Sequence, residues 1–153
     1  MAVEFFKPLV SDIKAMQELV KDEVETGTIL LRTEDEMATT IRSYTAVNVD
    51  GVMAGFCALH IHSPKLAEIR SLVVSGEHRG QKLGKYLVEH CLTEAKRLGL
   101  KEILSLTYQR KFFEELNFVE IPKESLPEHK IWADCIRCKH FPVCDEIALL
   151  YKL

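Results

Sequence analysis

The sequence predicts a mixed α/β fold, one central sheet with helices laid on it, and three observations carry that expectation. Apolar runs at 44–49 and 52–61 flank Asp50-Gly51, a dipeptide suited to a two-residue hairpin. A third run, Leu66 to Val74, follows Pro64 and extends the pair into an antiparallel meander. Residues 66–107 then alternate strand, long amphipathic helix and strand, the pattern of a parallel crossover.

Taken in order, Val3 to Lys7 reads as a short strand stopped by Pro8. Ser11 is placed as the N-cap of a helix over Asp12 to Val24, with Ile13, Met16, Leu19, Val20 and Val24 on one stripe and Gly27 as its stop. Residues 28–32 are too short a run to assign. Thr33 and Glu36 have the spacing of a capping box, so a second helix is expected to about Ser43. After the meander comes the strongest helix, Lys82 to Leu98. Its stripe is Leu83, Leu87, Cys91, Ala95 and Leu98, and Gly99 ends it. Glu102 to Thr107 is an apolar strand, and Gln109 to Leu116 a short helix ending at Asn117. A loop with Pro122 and Pro127, a cysteine cluster and a strand from Glu146 to Tyr151 complete the chain.

Composition bounds the function. A chain of 153 residues suits one compact domain, 1–153, and 47% hydrophobic with 28% charged residues excludes a disordered tail. With 20 basic against 23 acidic residues there is no basic excess, so no nucleic-acid partner is expected. No stretch approaches the roughly 20 apolar residues of a membrane span, and the first residues lack the apolar core of a signal peptide. Five cysteines, an odd number, fit a fully paired secreted framework poorly. A cytoplasmic protein with reduced thiols is expected. The oligomeric state stays open, with a homodimer admitted.

The informative stretch runs from Glu68 to Gly84, where a strand passes through a short loop into the long helix. Unpaired amides and the dipole at a helix N-terminus favour an anion such as a pyrophosphate. Gly80 and Gly84 admit close backbone approach, and Arg79 adds charge. Neither the dinucleotide GxGxxG nor the P-loop pattern is present. By itself the loop also reads as a plain strand-to-helix turn.

The segment Arg79-Gly80-Gln81-Lys82-Leu83-Gly84 resembles the coenzyme A motif of the GNAT acetyltransferase superfamily, (Arg/Gln)-x-x-Gly-x-(Gly/Ala). The run at 112–118 is similar to that family's Tyr-x-x-x-Gly-Phe segment. Two positions depart from the pattern: Lys82 stands where the middle glycine usually sits, and Phe113 where many members carry a thiolate-protonating tyrosine. Several short phrases resemble the N-acetylglutamate synthase branch: residues 27–32, 67–74, 106–109 with Phe112-Phe113, and 130–132 with Asp134-Cys135. The chain would match that branch's acetyltransferase domain, without the amino-acid-kinase domain fused to it in many members. The resemblance implies a single GNAT-like domain with a mixed, mostly antiparallel sheet and helices on both faces. It implies acetyl-CoA as co-substrate and a small-molecule amine as acceptor, the α-amine of L-glutamate for arginine biosynthesis. Another acceptor (polyamine, antibiotic or protein N-terminus) and a non-catalytic acetyl-CoA-binding module are the alternatives.

By the same resemblance, acetyl and pantetheine lie along Leu72, Val73 and Val74, with a backbone N–H there as oxyanion donor, and the pyrophosphate rests on Arg79 to Gly84. Strict alternation puts Glu68, Arg70 and Leu72 on one strand face and Ile69, Ser71 and Val73 on the other. Glu68 is then the first candidate base, directly or through a water. The bland alternative makes Glu68 and Arg70 an exposed edge pair. His60 and His62 could take the base's role, or sit in solvent at a strand end. A dicarboxylate acceptor calls for arginine forks, and Arg32 and Arg70 are the candidates, with Lys130 third. Tyr108 is a candidate proton donor to the thiolate, or a half-buried packing residue.

Cys135, Cys138, His140 and Cys144 offer four soft ligands in ten residues, a set that suits tetrahedral structural zinc. Reduced thiols in a loop are the alternative. Cys57 and Cys91 read as core filler.

Overall fold

The computed structural model describes residues 2–125 and 146–153. Seven strands form one sheet: β1 (Val3–Phe6), β2 (Tyr44–Val49), β3 (Val52–Ile61), β4 (Leu66–Val74), β5 (Glu102–Thr107), β6 (Val119–Ile121) and β7 (Ile147–Lys152). Their spatial order is β1-β2-β3-β4-β5-β7-β6. Only β4 and β5 pair in parallel; every other neighbour is antiparallel. The meander and the parallel crossover expected from the sequence are both present. The three-residue β6 was not anticipated.

The hairpin between β2 and β3 closes as its residues dictate, with Asp50 and Gly51 at φ 51° and 82°. Helices cover both faces: α1 (Ile13–Leu19), α2 (Lys21–Glu25) and α3 (Glu34–Thr39) on one, α4 (Leu83–Leu98) and α5 (Arg110–Glu115) on the other. Leu83, Leu87, Val88, Cys91 and Ala95 of α4 are buried against Val47, Cys57, Ile69 and Ile103. Leu98 shares the stripe yet is 57% exposed. The reversal at left-handed Gly99 buries Leu100 instead, closed by amides of Gly99 and Leu100 onto the Lys96 and Ala95 carbonyls.

The helices of the other face differ from expectation at their ends. Ser11 caps nothing. The Asp12 carboxylate accepts the Leu9 amide at 2.8 Å, which tightens Val10–Asp12 into a 3₁₀ turn before α1. The expected single helix to Val24 is also broken at Val20 (φ −100°, ψ 2°) into α1 and α2. Thr33 and Glu36 do form the capping box, at 3.1 Å in each direction. α3 stops at Thr39 because the Thr39 and Thr40 hydroxyls donate to the Glu36 carbonyl at 2.9 and 2.8 Å, and a 3₁₀ turn over Ile41–Ser43 follows.

A bulge in β4 overturns the strict alternation. Phe56 faces Val73 and Ala58 faces Arg70, so three steps on β4 oppose two on β3. The extra residue is accommodated by Ser71 in the left-handed region, φ 59°. Strand parity therefore flips. Ile69 before the bulge and Leu72 and Val74 after it all pack towards the α4 core, whereas Val73 joins the α1 and α3 core. Leu72 does not share a face with Glu68 and Arg70.

Candidate active site

The parallel pair parts at the bulge. β4 and β5 run together from Leu66↔Glu102 to Ile69↔Ser105; past that point β4 stays with β3 and β5 with β7. A cleft of about 890 Å³ occupies the opening, and ligands favour such a parting beyond the carboxyl ends of parallel strands. Leu72, Val73, Val74, Arg79, Gly80, Lys82, Leu83 and Gly84 line it. Gln81, the remaining member of the expected set, is exposed and forms no part of the wall.

Local backbone shape explains the loop. Gly80 has φ 86°, and Lys82, the N-cap of α4, sits at φ 63°, so the glycine usual at this position has a conformational reason that the lysine meets under strain. Lys82 makes no side-chain cap bond, leaving the first amides of a 16-residue helix for an anion. A Cβ on Gly84 would stand 3.5 Å from the Phe112 ring, an ordinary contact, so alanine fits there too. His78 Nδ1 is buried without a hydrogen-bond partner and its residue lines the cleft, a polar atom that a bound ligand would satisfy. The Arg79 guanidinium bonds the Val74 carbonyl and Glu23 of α2, each at 3.4 Å, from a position two-thirds exposed. Such an exposed pair holds Arg79 weakly.

Two smaller pockets open on the α1–α3 face. One, about 180 Å³, is polar: Arg32, Glu36, Thr39, Thr40, His60 and Arg70 are among its walls. The other, about 310 Å³, is largely apolar. Arg32 and Tyr44 line both. Arg70 lines both the polar pocket and the cleft, and Ile29 and Ser71 line both the apolar pocket and the cleft. Arg32 is set in place by its own backbone: Gln17 of α1 donates to the Arg32 carbonyl at 3.3 Å, and the Thr28 and Ile29 amides bond the Glu23 carbonyl. Arg70 is carried by the sheet, with Tyr44, Ala58 and Arg70 in one cross-strand row. Burial pushes the Tyr44 hydroxyl above its ordinary range, while Arg32 and Arg70, both close enough to act on it, pull it back less strongly. Two guanidinium groups far apart in sequence are thereby brought together.

Glu68 is 2% exposed in a central strand, which removes the edge-pair reading. Its Oε1 lies 2.9 Å from His62 Nε2, and the His62 side chain is only 4% exposed rather than standing in solvent. His60 stacks edge-on against His62, ring centroids 4.8 Å apart, and reaches the polar pocket. Glu68 itself lines none of the three cavities. Tyr108 is 38% exposed on the cleft wall beside Phe112 and Phe113, and Phe113 is buried. Tyr44, His78, Lys85 and Phe112 were not anticipated. Only Lys85, one turn into α4 from the glycine loop, carried a local cue. Lys130, Cys135, Cys138, His140 and Cys144 lie outside the described residues; among those described, no group of three or more His, Cys, Asp or Glu could hold a metal. Cys57 and Cys91 are fully buried, Sγ to Sγ 3.1 Å. No described helix is long and apolar enough to cross a membrane.

A splayed parallel pair, a strand bulge and an anion-ready helix mouth together shape a cleft suited to a phosphate-bearing ligand. The family model for the acetyltransferase (GNAT) family matches residues 13–118, and the chain belongs to that family. An uncharacterized N-acetyltransferase of Chlorobaculum tepidum is 34% identical over 94% of this chain and 92% of its own length. An amino-acid acetyltransferase of Pasteurella multocida is 30% identical over 79% of this chain, which spans 28% of that protein. In fold, the chain is similar to N-acetylglutamate synthase of Neisseria gonorrhoeae, solved with coenzyme A and N-acetyl-glutamate. The TM-score is 0.87 at 22% identity, over 100% of this chain and 35% of that one. A Mycobacterium tuberculosis protein solved with CoA gives a TM-score of 0.82 at 22% identity, over 98% and 99% of the two chains.

Proposed function

We propose that the protein transfers the acetyl group of acetyl-CoA to the α-amino group of L-glutamate, a step of arginine biosynthesis in the cytoplasm. One observation carries the acceptor: Arg32 and Arg70 converge beside Tyr44 in a pocket that shares Arg70 as a wall with the cleft. A dicarboxylate would meet one guanidinium at each end. The relatives named as amino-acid acetyltransferases, and the Neisseria structure holding N-acetyl-glutamate, support the same reading.

Acetyl-CoA supplies an activated thioester. The amides of residues 79–84, with Arg79, Lys82 and Lys85, hold its pyrophosphate, and Leu72 to Val74 hold the pantetheine arm. A β4 amide beside the bulge donates to the thioester carbonyl oxygen as charge builds there, a contribution of about 10²–10³ in rate for such donors. Glu68 accepts the proton of the ammonium. Because Glu68 lines no cavity, that proton reaches it through His60 or an ordered water, and His62 orients the carboxylate. Tyr108 protonates the departing thiolate from the cleft wall. The direct test mixes purified protein with acetyl-CoA and single amines while free thiol is followed. Fastest release with L-glutamate is expected; silence with glutamate beside turnover of spermidine would overturn the acceptor.

A further inference from the structure

Beyond the Arg32 it shares with the polar pocket, the apolar pocket is not used in the dicarboxylate reading. Its walls include Val20, Val24, Ile29, Leu30, Met37 and Phe56, drawn from the α1–α2 junction, α2, the loop to Arg32, α3 and β3. At about 310 Å³ it reaches the lower end of small-molecule sites, about 300–1,000 Å³. Its polar walls are Arg32 and Tyr44, shared with the polar pocket, with Gln17, Lys21 and Glu25, and it shares Ile29 and Ser71 with the cleft. An α-amino acid needs that order of surfaces: a cation for the α-carboxylate, an opening towards the thioester for the amine, and a chamber for the side chain.

We infer that this chamber receives the apolar side chain of a second class of acceptor, exemplified by L-leucine and L-methionine, whose α-carboxylate takes the Arg32 position. The inference rests on the reading of the site as an amino-acid acceptor site. It extends that site from one side-chain chamber to two, a polar one towards Arg70 and an apolar one under α1 and α2. The reaction balances as for glutamate. The thioester C–S bond breaks and an amide C–N bond forms. One ammonium proton leaves through the base to water and one ends on the coenzyme A thiol. Burying a leucine side chain favours L-leucine over L-alanine by about 10–100-fold in kcat/KM.

The experiment measures thiol release and product mass for L-glutamate, L-leucine, L-methionine, L-phenylalanine and L-alanine with acetyl-CoA, in the native protein and in Val24→Phe and Ile29→Ala. Leucine and methionine are expected to exceed alanine by at least about 10-fold. Val24→Phe narrows the chamber and lowers the leucine-to-glutamate ratio of kcat/KM by about 10-fold; Ile29→Ala widens it and raises L-phenylalanine relative to leucine. If Val24→Phe does not fold, Ile29→Ala decides. Glutamate turnover with leucine no better than alanine overturns the chamber and leaves the glutamate reading intact. Leucine turnover without glutamate supports the chamber and sinks the glutamate reading. Silence of every amino acid in protein that binds acetyl-CoA by calorimetry overturns both. A Val24→Phe variant whose leucine-to-glutamate ratio equals the native one overturns the chamber.

Discussion

Gly55→Ala should damage the cofactor cleft from the strand next to its wall. Gly55 of β3 lies opposite Val74, and a Cβ there would stand 2.6 Å from the Val73 carbonyl oxygen, 3.3 Å from Leu87 Cδ1 and 3.4 Å from Val74 Cα. The nearest atom is backbone, so no rotamer change relieves the clash. Restoring an ordinary contact of at least 3.4 Å requires the strands to separate by about 0.8 Å beside the bulge. Overpacking of this kind costs about 1–3 kcal/mol. For a chain of this size that is a fall of about 2–12 °C in Tm. The same displacement moves Val73 and Val74, which line the cleft, so KM for acetyl-CoA rises as well. Differential scanning fluorimetry with initial rates at varied acetyl-CoA reads both. Gly84→Ala is the control: its Cβ meets Phe112 at 3.5 Å and it replaces a helical glycine, so Tm holds or rises, a change of up to about 1 kcal/mol. A Gly55→Ala protein with native Tm and native KM would refute the claim that this close approach sets the seam.

Glu68→Gln is expected to lower kcat by about 10²–10⁴ with acetyl-CoA affinity retained by calorimetry, and full turnover would remove Glu68 as base. Arg70→Met should raise KM for L-glutamate by about 10–100-fold, the loss of a charge-assisted hydrogen bond, while KM for acetyl-CoA holds. Lys82→Gly relieves a left-handed lysine at about 1 kcal/mol while loosening the unfolded chain by a similar amount, so Tm barely moves. If Lys82 meets a phosphate, coenzyme A binding weakens at low salt and the difference narrows as salt rises. The Cys57 thiol is pushed up by its contact with Cys91 and by burial, so the folded state keeps a proton that the unfolded chain gives up. That stability is fully present below the ordinary thiol value, about 8.5, and is lost as pH climbs from there through the raised folded value. Urea unfolding from pH 8 to pH 10 should show a steeper alkaline loss in the native protein than in Cys57→Ala.

Features that depend on adjacent residues were legible before folding. Asp50-Gly51 fixed the hairpin, Thr33 and Glu36 the capping box, and the bounds of β2, β3, β4 and β5 followed from apolar runs between turn residues. The glycine loop before α4 was legible for the same reason, since all its residues lie within one turn of chain. What escaped notice depends on residues distant in sequence. β6 is three residues long and finds its partner, β7, far along the chain, so neither length nor periodicity announces it. Tyr44 and Arg70 meet because β2, β3 and β4 align them, and the segment between α2 and α3, held by Gln17, brings Arg32 to the pair. The bulge at Ser71 left no mark either, because serine is not a residue whose presence demands a left-handed backbone.

That unannounced bulge is what lets one strand serve two chambers. Without it, Arg70 and Leu72 would share a face, and the arginine would crowd a leucine that packs on the α4 core. The extra residue turns Leu72 and Val74 towards α4 and the cleft, and leaves Arg70 with His60 and Tyr44 on the opposite face. Ser71, at the flip, lines both the cleft and the apolar pocket. On the proposed reading, the amine and the thioester would meet beside Ser71. Deleting Ser71 would restore plain alternation, and the physical consequence is specific: the sheet would close over the join between the chambers, and transfer would fail even where each partner still bound.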